Sequence, residues 1–239
     1  ILNFGEGLED SGLDLEAEKS WNKELGIRGG VYLVNYEITG FHISIENLVA
    51  AGRGTAFKNL GKVNSFGVET SLDFHLSKFS TILPNVGIAY TYLSTKVKDG
   101  IITSNIQPVD QEISIEGKQL PYSPNHTLNI GTEFRILPGY SFRIDYKYVS
   151  ECYTDFQNIK DQDDLGIMGP IDAYGIINIS GSIKLNDKTK LFLSGKNIED
   201  KSYIGSRLHS NPGQKDANIS SGILPGARKQ VNIGVNYSF

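Results

Sequence analysis

The stretch ARKQVNIGVNYSF, residues 227–239, alternates apolar and polar side chains without interruption from Lys229 onward. One set of alternate positions is aliphatic or aromatic, and the other set carries amide, glycine and hydroxyl residues. Side chains two positions apart share one face of a β-strand. The stretch therefore predicts a strand with one apolar face and one polar face that ends on the aromatic residue Phe239.

Eight earlier segments show the same strand periodicity, with turn-forming or polar residues between them. The nine predicted strands cover residues 18–29, 32–49, 57–76, 85–98, 126–136, 140–156, 173–185, 189–203 and 227–239. We expect the pair Gly29 and Gly30 to form the first hairpin turn and residues 50–56 to form a loop. The connections alternate between short and long, which is the pattern of an up-and-down membrane barrel. A sandwich with Greek-key connections need not sort its loops in this way.

The composition excludes several classes of protein. The chain has 239 residues, of which 39% are hydrophobic and 21% charged, with a net charge of -4. It lacks the run of about 20 apolar residues that a membrane helix needs, whereas a barrel strand needs only about ten alternating residues. The mild acidity and the absence of a basic stripe argue against a nucleic-acid partner. A single cysteine, Cys152, rules out an intramolecular disulfide.

These features predict an all-β fold, namely an antiparallel up-and-down transmembrane β-barrel segment. Two alternatives remain open at this point. A passive porin-like channel would have the same strands around an open lumen, and a soluble all-β binding domain would cover the apolar face with protein instead of lipid. Catalysis is not predicted, because the sequence contains no GxSxG, HExxH or CxxC motif.

Five stretches, in this order, resemble the TonB-dependent outer-membrane receptor family. They are LEAEKSWNKELGIRG (15–29), NLGKVNSFGVETSL (59–72), GKQLPYSPNHTLNIG (117–131), LFLSGKNIEDKSYIGSR (191–207) and SGILPGARKQVNIGVNYSF (221–239). The third and fifth together are most similar to the ferric-citrate-type subgroup. The sequence departs from the family pattern at Ala17, Ile198, Glu199 and Ala227.

The resemblance implies a protein larger than residues 1–239. Family barrels have about 22 strands, so we expect the whole chain to be the C-terminal part of the barrel domain, with the plug domain, the TonB box and the first strands absent from the sequence. It further implies a bacterial outer-membrane location in contact with lipid, active transport of a ferric chelate, and a TonB-type periplasmic partner acting through the plug. No enzyme activity and no cofactor are implied, since iron is carried as part of the substrate.

Ligand contacts are expected in the long connections. A chelate of the citrate class is anionic, and arginine and amide groups are suitable donors to carboxylates. Arg53 lies between the second and third predicted strands, at a position where the subgroup places a polar ligand contact. The other candidates lie in the last long connection and are Arg207, Asn211, Lys215 and Asn218.

Charged residues on the face opposite the apolar one are expected to alternate in sign around the lumen. They are Arg28, Glu46, Glu69, Glu133, Arg135, Arg143, Asp145 and Lys147. His75 shares a strand face with Asp73 and Glu69, and this is the only arrangement among the histidines with ligand-like spacing. A polar lumen lining accounts for it equally well, so no metal site is predicted.

Overall fold

The computed structural model describes residues 15–52, 55–103, 111–208 and 222–239. Strands dominate this part of the chain, and its one helical element is a short 3-10 helix at Leu76–Lys78. No helix in the described ranges has the length and apolar character needed to cross a membrane.

Nine strands form one antiparallel sheet, and four shorter strands pair within two of the connections. The strands are β1 (Lys19–Val31), β2 (Val34–Gly52), β3 (Thr55–Phe74), β4 (Asn85–Asp99), β5 (Ile101–Thr103), β6 (Glu112–Ser114), β7 (His126–Leu137), β8 (Tyr140–Val149), β9 (Tyr174–Lys184), β10 (Thr189–Lys196), β11 (Ile204–Arg207), β12 (Ile223–Pro225) and β13 (Gln230–Tyr237). The large sheet has the order β1-β2-β3-β4-β7-β8-β9-β10-β13, so its strands are neighbours in chain order. Nine antiparallel strands with this meander confirm the predicted fold class.

The sheet has two edges at which strands end and connections begin, and the connections at these two edges differ in length. Four of them, at residues 32–33, 75–84, 138–139 and 185–188, lie at one edge, here called the short-turn edge. Residues 100–125, 150–173 and 197–229 connect strands at the opposite edge, the long-loop edge. The predicted alternation of short and long connections is confirmed for these seven connections. It was wrong for the connection between β2 and β3, which lies at the long-loop edge but separates strands that end at Gly52 and begin at Thr55.

The strand register defines two faces of the sheet, because directly paired residues project to the same side. One row runs through Leu72, Ile88, Ile130, Tyr146 and Ile177. The remaining residues on this apolar face include Leu25, Ile27, Ile38, Val68, Tyr90, Leu128, Ile144, Ile179, Leu193, Val231, Ile233, Val235 and Tyr237. The opposite, polar face carries rows such as Asp73, Gly87, Gly131, Asp145 and Asn178.

Many apolar-face side chains are strongly exposed, with Leu25 at 84% and Ile233 at 79% of their full accessible surface. A face this apolar and this exposed requires a covering medium. Toward the long-loop edge the same face becomes polar, where Lys19 and Lys62 flank Glu46 and the Lys62 Nζ lies 3.3 Å from a Glu46 carboxylate oxygen. The apolar band is therefore confined to part of the strand length.

Four boundary predictions were wrong. Strands β1 and β2 remain paired beyond Gly29 and Gly30, and the turn lies at Tyr32 and Leu33, where Tyr32 takes a positive φ of 49°. Residues 50–52 and 55–56 belong to strands instead of a loop. The sixth and eighth predicted strands end early, at Val149 and Lys196, because the chain leaves the sheet for the long connections.

The face assignment within β2 was also wrong. The alternation of the sequence in β2 predicts that Phe41, Ile43 and Ile45 form its apolar side, opposite His42, Ser44 and Glu46. In the structure they pair with Glu24, Asn22 and Ser20 on the polar face. Glu46 was predicted on the polar face, and its register places it on the same side as Lys19. The physical reason is that β2 carries aliphatic residues on both sides, so its own periodicity does not identify the covered one.

The most completely buried cluster lies where a long connection packs against the strands. It consists of Leu60, Val63, Val97, Ile102 and Ile115, each 5% exposed or less. Leu48, Leu120 and Phe156 pack around it. The connection between β4 and β7 is thus held to the sheet by a small hydrophobic core of its own.

Candidate functional site

Arg207, one of the predicted ligand contacts, lies inside the layer of loops at the long-loop edge. It is 1% exposed. Its Nη1 donates to the carbonyl oxygen of Gly166 at 2.7 Å, its Nη2 and Nε donate to that of Pro170 at 2.8 and 3.2 Å, and its Nη2 also donates to Gln162 Oε1 at 3.2 Å. Burial lowers the pKa of Arg207, and the nearby charges of Asp163 and Asp172 oppose that effect. The guanidinium therefore joins the β10–β13 connection to the β8–β9 connection.

Tyr122 links the same arginine to a third connection. The Tyr122 hydroxyl accepts from the Arg207 backbone N–H and donates to the Arg207 carbonyl oxygen, both at 3.2 Å. Its own N–H donates to the carbonyl oxygen of Tyr153 at 2.7 Å. Residues of the β4–β7, β8–β9 and β10–β13 connections therefore meet at one point.

A second cross-link between connections lies at Asn158. Its Nδ2 donates to the Gln119 carbonyl oxygen at 3.0 Å, and its Oδ1 accepts from the Gln119 N–H at 2.7 Å. The adjacent Asp155 carboxylate accepts from the backbone N–H groups of Gln157 and Ile159. Burial raises the pKa of Asp155, while these N–H donors act in the opposite direction. The site missed by sequence reasoning is this network of side-chain to backbone bonds.

The start of β13 is held by residues that follow β10. Asn197 is 2% exposed and donates from Nδ2 to the carbonyl oxygens of Lys201 and Ala227, both at 2.9 Å. Arg228 and Asp200 form a two-bond ion pair nearby. These residues fall in the stretches 191–207 and 221–239 that carry the family resemblance, and that coincidence was the one sequence signal available for them.

The other four predicted ligand contacts lie outside the described residues. They are Arg53, Asn211, Lys215 and Asn218. For the described ranges, no group of three or more histidine, cysteine, aspartate or glutamate side chains is arranged to hold a metal ion. His75 follows the end of β3, and its Nε2 lies 3.0 Å from Asn35 Nδ2.

Charges on the polar face are segregated, so the predicted alternation in sign was wrong. The face of β1–β3 carries four acidic residues and one basic residue, which are Glu24, Glu37, Glu69, Asp73 and Arg28. The face of β8–β10 carries five basic residues and one acidic residue, which are Arg143, Lys147, Lys184, Lys190, Lys196 and Asp145. The sequence missed this division because it placed Glu46 on the wrong face and did not include the lysines of β9 and β10.

A cavity of about 290 Å³ lies on the polar face between these two regions. Its floor includes Gly87 and Gly131, which are directly paired, and its flanks include Asp73 and Asp145. Arg143 extends over Gly131, where a Cβ would collide with its guanidinium, and its Nη2 lies 2.6 Å from Asp145 Oδ1. The polar face thus offers hydrogen-bonding groups to whatever occupies the space beside it.

The sequence model of the TonB-dependent receptor-like β-barrel matches residues 3–198. The chain belongs to this family. Family members are bacterial outer-membrane receptors and transporters, not enzymes. A search of curated protein sequences gives no match.

Solved structures show the same fold at low sequence identity. The ferric citrate transporter FecA, without ligand, is 19% identical with a TM-score of 0.72 over 92% of this chain and 31% of its own. The siderophore receptor PiuA from Acinetobacter baumannii is 18% identical with a TM-score of 0.68, covering 91% and 28%. The copper transporter OprC is 14% identical with a TM-score of 0.69, covering 94% and 32%. The chain spans about a third of the length of these proteins.

Proposed function

We propose that residues 1–239 form the C-terminal part of the barrel domain of an outer-membrane transporter that takes up a ferric chelate. The observation that carries the proposal is the two-faced sheet, whose exposed apolar band suits lipid and whose polar face suits a filled or aqueous lumen. The long connections, gathered at one edge, would then face the exterior of the cell. The short turns would face the periplasm.

Strands β1 and β13 are the first and last strands in the order of the large sheet, so each has a neighbour on one side. An edge strand presents unpaired backbone N–H and C=O groups, which must be paired inside a lipid bilayer. We propose that strands of the same protein outside residues 1–239 pair with both edges and close a barrel of about 22 strands. A plug domain would fill the lumen, and a TonB-type periplasmic protein would supply energy through it.

A ferric chelate of the citrate class is the proposed cargo. The similarity of residues 117–131 and 221–239 to the ferric-citrate-type subgroup supports it, and so does the likeness to FecA. Arg53, Asn211, Lys215 and Asn218 are the proposed direct contacts, because arginine, lysine and amide groups donate to carboxylates. The likeness to a copper transporter makes a direct test of the metal complex necessary.

The test is uptake of radioactive iron by cells that lack their own ferric-citrate receptor and carry the complete gene. Iron citrate should enter in a saturable manner that stops when the proton gradient is collapsed or the TonB homologue is deleted. Parallel assays with copper and with a catecholate chelate measure selectivity. Uptake that persists without energy would favour the porin-like alternative, and uptake of copper alone would reject the ferric-chelate assignment.

A further inference from the structure

We infer that Arg207 is a positioning residue that joins described parts of the three long connections, residues 119–125, 150–171 and 204–208, into one rigid unit, here called the cap. The inference concerns the order of the cap, and it rests on the proposed function only where it extends to ligand affinity. The inference is based on the hydrogen bonds of the buried Arg207 side chain and of the Tyr122 hydroxyl.

The first step is the way in which Arg207 spans the β8–β9 connection. Its planar guanidinium has five N–H donors in a fixed fork. The fork contacts the carbonyl oxygens of Gly166 and Pro170 and the side chain of Gln162, at distances from 2.7 to 3.2 Å. Buried carbonyl groups need donors, so one side chain satisfies acceptors that lie several residues apart in an irregular segment.

The second step is the bond to the β4–β7 connection. The Tyr122 hydroxyl both accepts from and donates to the backbone of Arg207, in the manner of a paired strand residue. The backbone next to Arg207 is tied to the same layer, because Leu208 N–H donates to the Gly222 carbonyl oxygen and Gly222 N–H donates to that of Leu165. Loosening Arg207 should therefore release segments up to 85 residues distant in sequence.

The third step is that the large sheet does not depend on these bonds. Arg207 belongs to β11, which pairs with β12 in a two-stranded sheet separate from the large one. The nine-stranded sheet is held by its own ladders between neighbouring strands. A substitution at Arg207 should therefore uncouple the connections and leave the barrel assembled.

The consequence for ligand capture follows from the cost of ordering loops. Binding is weaker when a ligand must first fix mobile segments, and stronger when they are already in place. Arg207 adds the β10–β13 connection to the other two, which the Asn158–Gln119 bonds already join, so each connection is preordered by its neighbours. Arg207 would then raise affinity without touching the chelate.

Amide hydrogen exchange on the complete receptor, without any ligand, tests the coupling. Arg207→Gln should raise exchange together at residues 119–125, 150–171 and 204–208, by about tenfold or more, as expected for local opening. Arg228→Gln is the matched control, because Arg228 lies at the same edge but its side-chain bonds within the described ranges go to Asp200. It should affect only residues near 200 and 229.

Two further variants keep the test decisive. Arg207→Lys retains the charge but cannot span the three acceptors, so it should resemble Arg207→Gln. Tyr122→Phe removes one hydroxyl and should release residues 119–125 and 204–208 even if the arginine variants fail to assemble. Increased exchange confined to residues 204–208 in every variant, or normal exchange in Arg207→Lys, would overturn the inference.

Binding of iron(III) citrate in excess citrate then tests the extension to affinity. Arg207→Gln should raise the concentration of iron citrate at half-saturation about tenfold and leave the number of binding sites per receptor unchanged. Unchanged half-saturation in a variant whose three segments exchange freely would reject the extension. A wild-type receptor that does not bind this probe would count against the proposed cargo, while the exchange experiment still decides the coupling.

Discussion

Arg228 donates to both carboxylate oxygens of Asp200, from Nε to Oδ1 at 2.9 Å and from Nη2 to Oδ2 at 2.6 Å. The backbone N–H of Lys229 donates to the same Oδ1 at 2.9 Å. The pair joins the segment that leaves β10 to the segment that enters β13. The hydrogen bonds from Arg228 and Lys229 hold the pKa of Asp200 well below its usual range.

This ion pair predicts that order at the start of β13 depends on pH. A carboxylate whose pKa is depressed in the folded state stabilises that state above its unfolded pKa of about 3.9, and the contribution is lost as pH falls below that value. We expect the protection of amides around residues 200 and 229, measured as the ratio of the intrinsic to the observed exchange rate at each pH, to fall between about pH 4 and pH 2. Asp200→Asn should show lower protection already at neutral pH and no such fall; a variant that behaves like the wild type across this range would contradict the prediction.

Among the described residues at the long-loop edge, Asn197 is the side chain whose substitution we expect to reduce stability most. Its Oδ1 accepts from the Lys201 N–H, its Nδ2 donates to two carbonyl oxygens, and its φ is 46°, which few residues other than glycine and asparagine tolerate. Asn197→Ala should lower the free energy of unfolding by about 1–3 kcal/mol, because it leaves buried backbone groups without partners.

The measurement is urea unfolding of the complete receptor in detergent. Asn232→Ala is the control, because the Asn232 side chain is exposed on the polar face and its bond to Ser194 is long, at 3.4 Å. It should change stability by no more than about 0.5 kcal/mol. Equal effects of the two variants would show that burial at Asn197 does not matter.

Adjacent residues of β13 offer a direct test of which face meets lipid. Ile233 pairs with Leu193 on the apolar face, whereas Asn232 pairs with Ser194 on the polar face. Ile233→Arg should destabilise the barrel by about 2–4 kcal/mol if the site lies near the bilayer midplane. Asn232→Arg, one position away, should be tolerated.

Folding yields into lipid vesicles, read from the mobility of unheated protein on gels, distinguish the two variants. The soluble all-β alternative makes a different prediction, namely that the wild type folds without detergent or lipid. Assembly of Ile233→Arg as efficiently as Asn232→Arg would place something other than lipid against the apolar face.

The existence and order of the nine strands could be predicted from the sequence because each has its own alternation. The faces of β2 could not. Ile38 lies on one side and Phe41 and Ile43 on the other, and the neighbouring strand decides between them. The Phe41 ring lies against Gly67 of β3, where a Cβ would collide with it. Gly67 on β3 thus leaves room on the polar face for the Phe41 ring of β2. The periodicity of one strand cannot reveal a relationship between two strands.

The role of Arg207 was beyond sequence reasoning for a different reason. The sequence predicts Arg207 as a ligand contact in the last long connection, but the acceptors of its side chain lie 37 to 45 residues away in segments without periodicity. Only the tertiary packing of the connections brings them together. Hydrogen bonds from a side chain to irregular backbone have no characteristic spacing in the sequence. The bonds that join the long connections could therefore not be predicted.

The segregated charges of the polar face yield the last prediction. Lys147 and Lys190 lie on the basic region formed by β8–β10, and no ion pair within the described ranges involves either of them. Fields from fixed wall charges select ions in a water-filled barrel. If the proposed lumen-filling domain is deleted from the complete receptor, the resulting pore should conduct ions, and Lys147→Glu with Lys190→Glu should shift its selectivity toward cations.

Lys62→Glu is the matched control, because Lys62 is exposed on the other face near the long-loop edge. Reversal potentials in planar bilayers under a salt gradient measure the shift; an equal shift from the Lys62 variant would mean that the polar face does not line the pore.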